Sequence, residues 1–195
     1  REQDYFARHG FAVIHSDYRN HGESDDVPDA EDNFRLGYTE DVINAVYAVR
    51  AANLPNINTE RIGMLGHSMG GGITQNVLVV QPDLVKAAVL YAPVSGDYKD
   101  NYERYVKMRP EHLQKFIELY GSLEDNPEFW EGISAANYYD RVVVPVQIHI
   151  GTNDESVEEE WSYSIRDRLQ AIGKNVVLYE YPGEAHEFGG QWSAF

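Results

Sequence analysis

Five short apolar runs, separated by stretches of helical period, limit what this chain can fold into. They are Phe11 to His15 (FAVIH), Arg61 to Leu65 (RIGML), Ala87 to Ala92 (AAVLYA), Val142 to Ile150 (VVVPVQIHI) and Val176 to Tyr181 (VVLYEY). Rich in Val, Ile and Ala and without strict polar alternation, they read as strands covered on both faces. Between the first two, Thr39 stands where a helix cap belongs, with Glu40 and Asp41 following, Val42, Val46 and Val49 along one face, and Pro55 beyond. An apolar helix is expected from Met69 to Val80, stopped by Pro82. Ser156 and Glu159 have the spacing of a capping box ahead of the stripe Trp161, Ile165, Leu169 and Ile172, which Gly173 ends. Alternation of this kind predicts an α/β fold, a mostly parallel sheet with helices on both faces. In such sheets ligands sit beyond the carboxyl ends of the strands.

The alternation breaks between Gly96 and Arg141. Pro110 opens a helix carrying Leu113, Phe116, Ile117 and Tyr120, Gly121 stops it, and Asn126-Pro127 starts another turn. Residues 97–140 therefore read as a helical lid inserted into a single catalytic domain spanning 1–195. Its aromatic residues, among them Tyr98, Tyr105, Trp130 and Tyr139, are expected to pack within the lid ahead of any part in recognition.

Composition narrows the partners. The chain has 195 residues, 43% hydrophobic and 25% charged, enough for a globular core. A formal charge of -16 opposes phosphate backbones and anionic lipid surfaces, so neither nucleic acid nor a charged membrane is an expected partner. The absence of cysteine excludes disulfides, thiolate nucleophiles and zinc-thiolate sites and leaves the compartment open.

The chemistry is concentrated at Gly66-His67-Ser68-Met69-Gly70, which fits G-x-S-x-G with an apolar run before it and an apolar helix after it. Glycines permit a tight strand-to-helix turn that presents Ser68, and the Met69 amide, one of the unpaired donors of the first helical turn, is the candidate oxyanion-hole donor. A serine hydroxyl needs a base, and the base needs an acid to fix its tautomer. Asp154 follows the fourth run and His186 the fifth, so both lie where a parallel sheet would bring them to the serine. Asp97 and Glu155 are rival acids. His15 and His149 lie within apolar runs and read as packed groups, and His67 is expected to point away from the serine. His186-Glu187 has no second histidine at helical spacing, so no metal and no cofactor is expected.

The segments DYRNHGES (17–24), GMLGHSMGG (63–71), GTNDESV (151–157) and YPGEAHEF (181–188) together resemble the prolyl oligopeptidase-like branch of the α/β-hydrolases, nearly end to end. The resemblance implies an α/β-hydrolase fold with Ser68 as nucleophile, His186 as general base and then acid, and Asp154 as the orienting carboxylate. It also implies hydrolysis of a carboxylic ester or a peptide bond in a small substrate. One departure follows from it: the earlier strand and HGG-type loop that give the family its second oxyanion donor are not matched. The chain is therefore expected to be a piece of a longer hydrolase, with the N-terminal strands absent and the last residues, GGQWSAF, falling inside a final helix. The alternative function is a non-catalytic module that uses the same fold for binding.

Overall fold

The computed structural model describes residues 2–28, 30 and 36–189. The chain divides into two compact units, Arg1–Arg61 and Ile62–Phe195. Residues 190–195, on which the expected final helix falls, lie outside the described residues.

In the first unit, helix α1 spans Glu2–Arg8 and helix α2 spans Leu36–Ala52. The run Phe11 to His15 is not a strand: residues 11–18 have no regular secondary structure, and Phe11, Val13, Ile14 and His15 are exposed. A strand persists only where a neighbour takes up its amides and carbonyls, and apolar composition alone does not supply one. Nor does Thr39 cap α2, which begins three residues earlier and buries it. Tertiary contacts explain the earlier start. Asp41 receives the Arg19 guanidinium at 2.7 and 3.0 Å and the Arg19 amide at 3.1 Å, while Tyr38 stacks on Tyr18 with ring centroids 4.9 Å apart. These contacts order the turn before Thr39, and packing overrides local propensity.

The second unit is built on a parallel sheet. Strands β1 (Gly63–His67), β2 (Ala87–Tyr91), β3 (Val146–Gly151) and β4 (Val176–Tyr181) lie in the order β1-β2-β3-β4, every neighbouring pair parallel. The expected run at 142–150 shortens at its start because Val142 still belongs to the end of a 3₁₀ turn and Pro145 has no amide to give a ladder. Helix α3 (Met69–Val80) packs on β1 and β2, and its Leu78 and Val79 join Leu90, Ile148, Ile165 and Leu169 in one buried cluster.

Between β2 and β3 the chain forms α4 (Tyr98–Asn101), a π-helical turn (Tyr102–Val106), α5 (Pro110–Tyr120), α6 (Pro127–Gly132) and a 3₁₀ turn (Ala135–Arg141). Pro110 and Pro127 each open their helix, where the missing N–H costs no bond. The aromatics here do pack. Trp130 is buried against the edge of Tyr102 at 5.0 Å, Phe129 stacks on Tyr120 at 4.6 Å, and the buried Tyr139 hydroxyl donates to Gln75 of α3. Burial pushes the Tyr139 phenol well above its ordinary value, so it remains a donor.

Helix α7 (Glu159–Ala171) packs on β3 and β4 through Trp161, Ile165 and Leu169. Its start is not the expected capping box. Glu158 is the cap residue, and the Ser156 amide donates to Asp154 instead. A buried carboxylate that needs donors has claimed the loop ahead of the helix.

Candidate active site

Because the strands are parallel, the chain leaves β1, β3 and β4 at one edge of the sheet. Ser68 comes off β1 directly into α3 with φ 56° and ψ -117°, a backbone that non-glycine residues rarely adopt. Four bonds hold it there. The Ser68 amide donates to the Tyr91 carbonyl at 2.9 Å, and the Ser68 carbonyl accepts from Gly71 at 2.9 Å, Val94 at 3.2 Å and Gly72 at 3.3 Å. Such strain costs on the order of 1–3 kcal/mol and persists only where the surroundings over-determine it.

Two of the flanking glycines are required by close approach. A Cβ on Gly66 would collide with the Gly70 carbonyl and the Thr74 hydroxyl, and one on Gly71 would lie 2.7 Å from Pro93. The turn is therefore closed by backbone against backbone. Met69 is the first residue of α3, so its amide has no partner within the helix.

Asp154 lies three residues past β3 with its side chain 1% exposed. One carboxylate oxygen accepts the amides of Ser156 at 2.8 Å and Val157 at 3.0 Å; the other accepts Nδ1 of His186 at 2.8 Å. Burial on its own would raise the Asp154 carboxyl, but the bonds from His186, Val157 and Ser156 outweigh it and hold the group below the usual carboxylate range. An ionised carboxylate cannot donate, so Nδ1 of His186 carries the proton and Nε2 is left as the basic nitrogen.

The His186 loop is fastened to its neighbours. Asn153 donates to the Glu184 carbonyl at 2.9 Å and Gly183 donates to the Thr152 hydroxyl at 2.9 Å. A Cβ on Gly151 would strike that same Glu184 carbonyl, so the Asp and His loops cross in contact. Beneath them Phe188 is fully buried, its ring centroid 4.5 Å from Tyr91 and 4.7 Å from Tyr181.

Of the rival acids, Asp97 caps α4 by accepting the Lys99 amide, and Glu155 offers its carbonyl to Arg104. Neither reaches His186 through any described bond. His149 is buried and bonded to the Tyr181 hydroxyl at 2.9 Å, with burial lowering its pKa to about 4. His67 is turned toward the histidine loop. Its Nε2 lies 3.0 Å from the His186 carbonyl and its ring 4.5 Å from the His186 ring. Neither His67 nor Phe188 was singled out by the motif, which leaves the position before the serine unspecified; the only sequence signal for Phe188 is its place in the histidine loop. Among the described residues no group of three His, Cys, Asp or Glu side chains is gathered as a metal site.

The prolyl oligopeptidase family model matches residues 1–193. An uncharacterized peptidase of Bacillus subtilis, YtmA, is 25% identical over 185 residues, which cover 94% of this chain and 67% of that protein. A Mycobacterium tuberculosis puromycin-hydrolyzing peptidase superposes with a TM-score of 0.64 at 27% identity, over 77% of this chain and 22% of the other. Dipeptidyl peptidase 4 of Porphyromonas gingivalis superposes with a TM-score of 0.63 at 22% identity, a likeness of fold, over 80% of this chain and 20% of the other. The chain thus spans about a fifth of the length of these two solved structures.

Proposed function

Because the chain belongs to the prolyl oligopeptidase family, we propose that it is a serine hydrolase cleaving a peptide, amide or carboxylic ester bond through an acyl-enzyme on Ser68. The observation that carries the reading is the buried Asp154 bonded to His186 Nδ1 at 2.8 Å, in loops leaving the same sheet edge as the Ser68 elbow.

The Ser68 hydroxyl oxygen attacks the acyl carbon while its proton passes to His186 Nε2. Charge developing on the acyl oxygen is met by the Met69 amide, aligned with the positive end of α3. When the carbonyl re-forms, the bond to the leaving group breaks and His186 returns the proton to the departing nitrogen or oxygen. Water then gives a proton to His186 and attacks the ester on Ser68, which releases the acid and restores the hydroxyl. Asp154 keeps Nδ1 protonated throughout and stabilises the imidazolium. Residues 97–140 serve as a lid, a role supported by the bonds from Arg104 and Tyr105 to the carbonyls of Glu155 and Ser156, next to the acid.

The three similar proteins described above are named as peptidases, which favours an amide substrate. Treatment with a fluorophosphonate followed by peptide mapping tests the nucleophile: the adduct is expected on Ser68 and nowhere in Ser68→Ala. Modification of the protein elsewhere with Ser68 untouched would sink the assignment, and parallel assays on an aminoacyl anilide and a short acyl ester decide the bond cleaved.

A further inference from the structure

The order of the sheet sets a problem that the acid-histidine pair does not solve. His186 follows β4 while Ser68 follows β1, three strands away in the order β1-β2-β3-β4. At the usual spacing of neighbouring strands this is a lateral distance of about 14 Å. Asp154, after β3, fixes one nitrogen of the His186 ring. The bonds of Asn153 and Gly183 hold the His186 loop from the β3 side and leave its placement relative to β1 to other contacts.

We propose that His67 is a positioning residue that fixes His186 against the Ser68 elbow, an inference that rests on the serine-hydrolase reading above. Three contacts converge on it. Its Nε2 lies 3.0 Å from the His186 carbonyl, and since a carbonyl only accepts, Nε2 carries a proton and donates. Its ring lies 4.5 Å from the His186 ring at 37°. It also stacks on Tyr91, its ladder partner on β2, at 4.3 Å and 28°. Tyr91 in turn supplies the carbonyl that takes the Ser68 amide and packs against Phe188, two residues beyond His186.

His67 is joined to Ser68 by a peptide bond and to His186 by ring and carbonyl, so the histidine loop and the serine turn share one rigid reference. Asp154 sets the tautomer and one edge of the His186 ring; His67 sets where the ring stands relative to the hydroxyl. Generic strand packing would place an aliphatic side chain there equally well, but an aliphatic group could not bond the carbonyl.

The variants His67→Phe, His67→Gln and His67→Ala separate the contributions. Phe keeps a ring and loses the donor, Gln restores a donor, and Ala loses both. The readouts are the rate constant for fluorophosphonate capture by Ser68, the downfield proton resonance of His186 Nδ1–H, and the urea midpoint. Loss of one net hydrogen bond corresponds to roughly a 3- to 10-fold slower capture in His67→Phe, with a larger loss and a shifted or broadened resonance in His67→Ala, and partial recovery in His67→Gln. Wild-type capture rates and an unmoved resonance in both Phe and Ala variants would overturn the proposal. So would slower capture that only followed the urea midpoint, with Gln no better than Phe. Should His67→Ala not fold, the Gln against Phe comparison carries the test alone. The two readings fail separately. No capture at Ser68 in the wild type, with a resonance that His67→Ala removes, sinks the serine nucleophile and keeps the anchor; normal capture with an unmoved resonance in every variant does the reverse.

Discussion

At the scale of single residues, the division of labour on Asp154 makes a sharp expectation. Its two oxygens have different partners, the amides of Ser156 and Val157 on one and His186 Nδ1 on the other. In Asp154→Asn the two amides claim the single side-chain oxygen, which turns the NH₂ group toward His186. Nδ1 must then accept, its proton moves to Nε2, and the nitrogen that should receive the serine proton is already protonated. Capture at Ser68 and turnover are expected to fall on the order of 10⁴-fold with little change in fold, as kinetics beside a circular-dichroism melt would record. The sequence placed Ser68, Asp154 and His186 just beyond apolar runs, and a parallel sheet brings such positions to one end, where Asp154 meets His186. The place of His67 was not legible, since its contact depends on a loop 119 residues away folding back across two strands.

At the scale of elements, the fit between β1 and α3 is the part most exposed to substitution. Gly66→Ala places a methyl group against the Gly70 carbonyl, which is backbone and cannot rotate aside. Overpacking of this kind costs about 1–3 kcal/mol. A lowered urea midpoint together with slower capture at Ser68 is expected, since strand and helix can separate only by opening the turn that holds the serine; an unchanged midpoint would contradict the close approach. The helix Met69–Val80 and the strand Val176–Tyr181 were read from the sequence at their observed limits, because Ser-Met-Gly, Pro82 and Pro182 mark their ends. Thr39 and Ser156 looked like caps and are not. Asp41, bonded to Arg19 22 residues away, ordered the turn ahead of Thr39, while the Ser156 amide is taken by Asp154 two residues before it, a local turn that the capping-box spacing does not register. The run at Phe11 failed differently: composition records the tendency to pair and not the presence of a neighbour.

At the scale of the whole molecule, His149 and Asp154 are two of the groups through which stability responds to acid. His149 is buried next to the Tyr181 hydroxyl, and burial lowers its pKa from 6.5 to about 4. The unfolded chain therefore binds this proton first, so stability is full above pH 6.5 and declines as pH falls toward about 4. Asp154, held below its ordinary 3.8, adds stability that is present above that value and lost as pH falls through its folded pKa. The urea midpoint should thus decline in two stages, and His149→Gln should flatten only the first. An unaltered slope between pH 6.5 and 4 in that variant would show the acid response to arise elsewhere. The bonds of Arg104 and Tyr105 to the carbonyls of Glu155 and Ser156 act at this scale too. They make the helical segment between β2 and β3 a poor subject for exchange between relatives. A foreign segment of the same length would arrive without those donors, leaving two acceptors beside Asp154 to find new ones, so the segment and the Asp154 loop would have to be exchanged together.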